Sequence, residues 1–69
     1  MNLRELEKIL RGSIVASIQW KDANYKWQEI LTHIHLIKFC DEKLLNSEVL
    51  RIEIKNNVIE IILKVERDI

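Results

Sequence analysis

The last third of the chain alternates apolar and polar residues on both sides of an Asn56-Asn57 pair. Alternation with a period of two predicts two β-strands that each bury one face. Asn tolerates the positive φ that a two-residue hairpin turn requires, so the Asn pair is expected to be the turn between them. In the register set by this turn, the apolar residues of the two strands pair on one face: Ile54 with Ile59, Ile52 with Ile61, and Leu50 with Leu63.

The strand after the turn is the most apolar one, because Val58 and Ile62 make its second face apolar as well. We therefore expect this strand at the centre of a three-stranded sheet. A second alternating pattern, over residues 14–21, predicts its other neighbour. This first strand is expected to run parallel to the strand before the turn, across a right-handed connection. Its buried face would consist of Ile14, Ala16, Ile18 and Trp20.

A short helix is predicted over residues 2–11. Asn2 followed by Glu5 is a capping-box signal for the start of a helix. Gly12 is suited to the left-handed position that follows the end of a helix. The apolar residues fall on one helical face: Leu3, Leu6, Ile9 and Leu10.

A long second helix is predicted between Asp22, which can serve as its N-cap, and Asn46, where it would end. The apolar residues of this segment recur at helical spacing and cluster on one face. They are Ala23, Trp27, Ile30, Leu31, Ile34, Ile37 and Leu45.

The competing interpretation of the same segment is a hairpin that pairs Trp20 with Trp27. It is supported by residues 30–40, which are rich in good strand formers. This hairpin would place Glu29 opposite the apolar Ile18, so the helix is favoured.

Together these elements predict an α+β fold of one small domain, residues 1–69. A short N-terminal helix is followed by β-α-β-β, in a three-stranded sheet with strand 3 central and one long helix packed on a face. The net charge is zero, so the single-sign field typical of partners of nucleic acid or anionic lipid is absent. We expect no membrane association, and the single Cys40 favours the cytoplasm over an oxidising compartment.

The residues with catalytic or metal-binding chemistry are poorly placed for either role. His33 and His35 would point away from each other on a helix, so they are not expected to share a metal ion. Cys40 would lie about two helical turns from His33, beyond hydrogen-bond reach. With one glycine, the chain cannot contain a glycine-rich phosphate loop. We expect no enzyme activity, no cofactor and no metal.

A second apolar stripe on the predicted long helix is the first candidate interaction surface. It would lie opposite the face that packs on the sheet, and it comprises Tyr25, Leu36, Phe39 and Cys40. A helix with two apolar faces is normally covered on both. The short first helix could cover only part of this stripe, so the sequence predicts a homodimer or a contact with another protein.

Residues 20–27 form the second candidate surface, because three of the four aromatic residues of the chain lie in this window. Aromatic residues interleaved with lysines suit base stacking or a protein hot spot. The favoured interpretation is nevertheless that Trp20 and Trp27 are both buried and close together, between the first strand and the long helix, and the binding patch is the alternative. As a binding patch the window would use Trp20, Lys21, Tyr25 and Lys26.

The sequence therefore favours a small non-enzymatic interaction module, a regulator or inhibitor that acts through protein–protein contact and forms a homodimer. The alternative is a winged-helix-like DNA-binding protein with the 48–66 hairpin as its wing. In that layout the long helix breaks near Thr32, which would cap a recognition helix bearing His33, His35 and Lys38. The absence of a basic charge excess counts against it.

Overall fold

A computed structural model describes residues 1–65 of the chain. These residues form a four-stranded mixed sheet that is covered on one face by three short helices. The elements follow one another as α1 (Leu3–Ile9), β1 (Val15–Lys21), β2 (Trp27–His33), a 3-10 helix (Ile34–Phe39), α2 (Glu42–Leu45), β3 (Glu48–Lys55) and β4 (Val58–Lys64). The order of the strands in the sheet is β2-β1-β4-β3. Position 66 of the predicted wing, and the end of the predicted domain at 69, lie outside the described residues.

The predicted long helix and three-stranded sheet are both wrong. The segment between Asp22 and Asn46 instead contains β2, the 3-10 helix and the four-residue α2. None of the β2 residues is fully buried, since the strand lies at an edge of the sheet and is accessible on both faces. Such a strand shows no clean period-two pattern, so the helical spacing of its apolar residues was misleading.

Asp22, the predicted N-cap of the long helix, instead stabilises the turn between β1 and β2. The Asp22 carboxylate accepts hydrogen bonds from the backbone N–H groups of Asn24 (2.8 Å) and Lys26 (3.0 Å). Tyr25 has φ 61, and its N–H donates to the Asp22 carbonyl at 3.0 Å. This is a three-residue hairpin loop with a left-handed last residue. It sets the register of Lys21 opposite Trp27, one residue away from the competing hairpin.

The β3–β4 hairpin has the predicted register over most of its length. The pairs Ile54–Ile59 and Ile52–Ile61 are confirmed. Asn56 and Asn57 form the turn with φ 49 and 64. The third predicted pair is wrong: a bulge between Val49 and Arg51 places Val49, not Leu50, opposite Leu63.

The position of β4 inside the sheet, between β1 and β3, is confirmed, but the predicted strand direction is wrong. The first strand runs parallel to β4 and therefore antiparallel to β3. The unexpected strand β2 reverses the chain once more, which is why the direction differs. The connection from β2 to β3 crosses from one edge of the sheet to the other through the 3-10 helix and α2.

The core lies between the helices and one face of the sheet. The sheet contributes alternate residues of its two inner strands, in agreement with the predicted period-two burial. Each of the three helices contributes two side chains. The buried apolar residues are Ala16, Ile18, Ile59, Ile61 and Leu63 from the sheet, and Leu3, Leu6, Ile34, Ile37, Leu44 and Leu45 from the helices.

Helix α1 begins with the predicted capping box. The Asn2 side chain accepts from the Glu5 N–H at 2.8 Å, and the Glu5 carboxylate accepts from the Asn2 N–H at 3.0 Å. The helix ends at Ile9, earlier than predicted, so Gly12 with φ 106 lies in the following loop. The Arg11 guanidinium donates to the carbonyl of Lys8, an acceptor that the last turn leaves open.

The winged-helix layout lacks its recognition helix in this fold. Thr32 lies within β2, opposite Ala16 of β1. Residues 34–39, which would have begun that helix, form a 3-10 helix instead. The winged-helix layout therefore does not describe this fold.

Candidate functional site

The face of the sheet opposite the helices, here called the open face, has no covering element among residues 1–65. The strand registers place alternate residues of all four strands on it. They are Val15, Ser17, Gln19 and Lys21 of β1, Trp27, Glu29, Leu31 and His33 of β2, Glu48, Leu50, Arg51, Glu53 and Lys55 of β3, and Val58, Glu60, Ile62 and Lys64 of β4.

One end of the open face contains an apolar cleft. Trp27 and Leu50 form two of its walls, and Ile62 lies between them. Lys21 and Lys64 also line this cleft, which has a volume of about 310 Å³. The Trp27 side chain is 58% exposed although it lies on a strand. A large aromatic residue held in water by a rigid element is a typical anchor of a binding surface.

Lys21 and Trp27 face each other across the β1–β2 pair. The Lys21 ammonium lies 5.4 Å from the centre of the indole ring, within the range of a cation–π interaction. Trp27 remains largely exposed despite this contact. The end of the open face thus combines an aromatic surface with positive charge.

A polar network occupies the middle of the open face. The Ser17 hydroxyl donates a hydrogen bond to the Glu29 carboxylate and accepts one from the Gln19 side-chain amide at 2.9 Å. Ser17 is almost fully buried beneath these two longer side chains. The network satisfies the hydroxyl within the chain, while Glu29 itself is exposed.

Charged side chains form ion pairs at the end of the open face near the Asn56-Asn57 turn. Glu53 and Glu60 face each other, and Lys55 lies 3.4 Å from the first and 3.6 Å from the second. The hydrogen bond that Lys55 donates to the Glu53 carboxylate, together with the charge of Glu60, raises the pKa of Lys55 above its ordinary value. Arg51 lies 3.4 Å from Glu53, so the like-charged pair is compensated by two cations.

The residues of the first predicted surface are divided between two places. Leu36 and Phe39 are exposed on the 3-10 helix, three residues apart and so on one side of it, and the half-buried Cys40 follows directly. Burial raises the pKa of the Cys40 thiol. Tyr25 lies in the β1–β2 turn, separated from the other three by the length of β2, roughly 23 Å. The structure therefore does not form the predicted continuous stripe.

The second predicted surface is divided between the two faces of the sheet. Trp20 packs against the core, half-buried, whereas Lys21 points to the open face. Tyr25 and Lys26 belong to the turn. The expectation that Trp20 and Trp27 are both buried and adjacent is wrong, because residues of opposite parity on paired strands lie on opposite faces.

The cleft was not predicted from the sequence, because its formation depends on the β-bulge in β3. Leu50 reaches the open face only because the chain has one extra residue there. The sequence signal was the adjacent apolar pair Val49 and Leu50, which interrupts the alternation before Arg51.

The two histidines lie closer together than predicted. His33 ends β2 and His35 follows in the 3-10 helix, with ring centres 4.7 Å apart in a stacked arrangement. The expectation that they point apart is wrong because no α-helix spans them. The backbone N–H of His35 donates to Nδ1 of His33 at 3.4 Å, so this stack caps the start of the 3-10 helix.

Among residues 1–65, no three His, Cys, Asp or Glu side chains come together as a metal site. No helix in this part of the chain has the length and apolar character needed to cross a bilayer. Comparisons of the sequence with protein-family models, with curated proteins and with solved structures give no match.

Proposed function

We propose that this chain is a small non-enzymatic interaction module, a regulator or inhibitor that binds another protein through the open face of its sheet and itself forms a homodimer. The observation that carries the proposal is the exposed indole of Trp27 beside Leu50 in the cleft. Exposure of two large apolar side chains on rigid strands costs the free protein solvation free energy. Covering them with a partner recovers that free energy.

The charges of the open face favour a protein partner over a nucleic acid. Its four cations are balanced by four acidic residues, so no single-sign field covers the face. A mixed polar rim around an apolar centre is typical of protein–protein interfaces. The charged residues are Lys21, Arg51, Lys55 and Lys64, and Glu29, Glu48, Glu53 and Glu60.

In this proposal the module acts by binding to a surface of its partner, without a chemical step. Trp27 inserts into an apolar pocket of the partner, while Lys21 and Lys64 contact acidic groups at the pocket's rim. The module regulates the partner by covering that surface. The half-buried Cys40 thiol suits the reducing cytoplasm, where we place this activity.

Site-specific photo-crosslinking in cells that naturally produce the chain tests this proposal. In one variant a photoreactive phenylalanine analogue replaces Trp27. In the matched control the same analogue replaces Lys8, which is exposed on α1. We expect a crosslinked product with a second protein from position 27 and little or none from position 8. The variant Leu50→Asp, which places a charge in the cleft, should reduce the yield from position 27.

Equal or absent crosslinking at positions 27 and 8 would contradict the proposed function. A product from position 8 alone would place the contact on the helical layer instead. Circular dichroism of each variant shows whether the fold is retained, so a lost crosslink can be assigned to the surface.

A further inference from the structure

The two edges of the sheet differ in how they are protected from pairing with another strand. The edge of β3 is obstructed at its start, where the Val49 N–H donates to the Met1 carbonyl at 2.9 Å and Asn2 pairs with Glu48. The bulge before Arg51 distorts the same edge. Covering segments and bulges are the usual means by which sheets avoid edge-to-edge association.

The edge of β2 has neither protection in the described part of the chain. Its seven residues pair with β1 in one continuous register. Glu29 is the only Asp, Glu, Lys or Arg among them, and the chain has no proline. Leu31, in the middle of the strand, is 66% exposed. A long, regular edge with a single charged residue is a template for a further strand.

The hydrogen bonds at the two ends of β2 show which of its backbone groups point outward. The Asp22 N–H donates to the Lys26 carbonyl at 2.9 Å, and the Ile34 N–H donates to the Ile14 carbonyl at 3.1 Å. Hydrogen-bonded positions alternate along an antiparallel pair, so the even-numbered residues of β2 bond to β1. The N–H and C=O groups of the odd-numbered residues therefore face away from the sheet: Trp27, Glu29, Leu31 and His33.

We propose that β2 pairs antiparallel with β2 of a second copy of this chain, with Leu31 opposite Leu31, so that two sheets join into one of eight strands. This rests on the homodimer of the proposed function and specifies its contact. In this register Glu29 faces His33 of the second copy, and Ile30 faces Thr32. All outward-facing groups of residues 29, 31 and 33 gain hydrogen-bond partners.

The partner that it gives to Glu29 favours this register over its neighbours. Shifting the pairing by one step places Glu29 opposite Leu31 of the second copy, and by two steps it places Glu29 opposite itself. Like charges directly opposite on a sheet are destabilising. Of these three registers, only the Leu31-centred one gives Glu29 a polar partner that can donate a hydrogen bond, at both ends of a symmetric pair.

The two-fold axis of such a pairing is perpendicular to the sheet, so both open faces lie on the same side. Trp27 is four residues from the axis position Leu31. At about 3.4 Å per residue, the two Trp27 side chains lie roughly 27 Å apart along the strand direction. The dimer would thus present two clefts to one partner or to a symmetric one, which increases the effective affinity.

Sedimentation of three proteins tests whether this edge forms the dimer. The wild type is expected to sediment as a dimer at high micromolar concentration. Leu31→Lys places two ammonium groups opposite each other and should raise the dimer dissociation constant about tenfold or more. The matched control Ile9→Lys changes an apolar residue of similar accessibility at the end of α1, 64% exposed against 66% for Leu31, and should leave the constant unchanged. Thermal unfolding of the variants checks the fold.

Hydrogen exchange of single amides tests the register directly. The N–H groups of Glu29, Leu31 and His33 should exchange slowly at millimolar protein and fast at low micromolar protein. Those of Ile52 and Ile54, which face outward on β3 by the same alternation, should exchange fast at both concentrations.

The possible failures are distinguishable. A wild-type dimer that Leu31→Lys does not weaken, or protection of Ile52 and Ile54 instead, overturns the β2 pairing and leaves the homodimer standing. A wild type that is monomeric at high micromolar concentration overturns both the pairing and the homodimer. Binding of another protein through Trp27 is decided separately by the crosslinking experiment.

Discussion

The Ser17 hydroxyl donates a hydrogen bond to the Glu29 carboxylate across the β1–β2 pair. Ser17 is only 3% exposed although it lies on the open face, because Glu29 and Gln19 cover it. The pair joins the inner strand β1 to the edge strand β2 through side chains as well as through the backbone. It therefore contributes to holding the edge strand in its register.

Replacing Ser17 by Ala should lower the free energy of unfolding by about 1 kcal/mol, the typical net contribution of one side-chain hydrogen bond. The measurement is urea unfolding followed by tryptophan fluorescence. Ser13→Ala, in the exposed loop before β1, is the matched control and should change the stability by less than about 0.5 kcal/mol. Equal effects of the two substitutions would show that the bond to Glu29 contributes nothing.

The position of Glu29 distinguishes the hairpin in the structure from the competing hairpin of the sequence analysis. In the hairpin that pairs Trp20 with Trp27, Glu29 would face Ile18, whereas in the structure it faces Gln19. The difference is one residue of loop, supplied by the left-handed conformation of Tyr25. Sequence pattern does not specify loop length when a bulky residue adopts a positive φ, since that conformation is rare for it.

The parts of the fold that sequence predicted are those where burial on one side imposes a pattern. Strands β1 and β4 alternate because the helices cover one face, and the Asn56-Asn57 turn and the Asn2 cap have specific local chemistry. The edge strand β2 is accessible on both faces and has no such pattern. The cleft also could not be predicted from the alternating pattern, because a β-bulge brings Leu50 to it.

Two isoleucines on the helix-covered side of the β3–β4 hairpin should respond very differently to truncation. Ile61 is 0% exposed in the core, whereas Ile54 is 72% exposed beyond the helices. Ile61→Ala should lower the free energy of unfolding by about 2–5 kcal/mol, since it removes buried methyl groups and leaves a cavity. For Ile54→Ala we expect less than about 1 kcal/mol. Urea unfolding measures both, and similar losses would contradict the position of the core.

The Asn56-Asn57 turn should be improved by glycine at its second position. Asn57 has φ 64, a conformation that glycine adopts without steric cost. Asn57→Gly should therefore raise the free energy of unfolding by up to about 1 kcal/mol, whereas Asn57→Val should lower it by about 1–2 kcal/mol. The midpoint of thermal unfolding reports both changes. A loss of stability with glycine would contradict the turn conformation.

The Asp22 carboxylate should give the folded chain a stability that disappears in acid. The hydrogen bond from the Lys26 N–H, followed by that from the Gln28 side-chain amide at 2.8 Å, lowers the pKa of Asp22 below its ordinary value near 3.8. Because the folded pKa is the lower one, the stabilisation is fully present above pH 3.8 and is lost as the pH falls towards the folded value. The stability difference between wild type and Asp22→Ala should shrink over this interval.

The carboxyl carbon shift of Asp22, followed by NMR between pH 6 and pH 2, measures this pKa directly. Gln28→Ala removes one donor to the carboxylate and should move the pKa upward towards 3.8, while the Lys26 N–H still holds it below that value. Since Gln28 is exposed on an edge strand, the fold should persist in this variant. A wild-type Asp22 pKa at or above 3.8 would mean that the carboxylate does not accept these hydrogen bonds in solution. The three-residue loop that sets the register of β2 would then need another explanation.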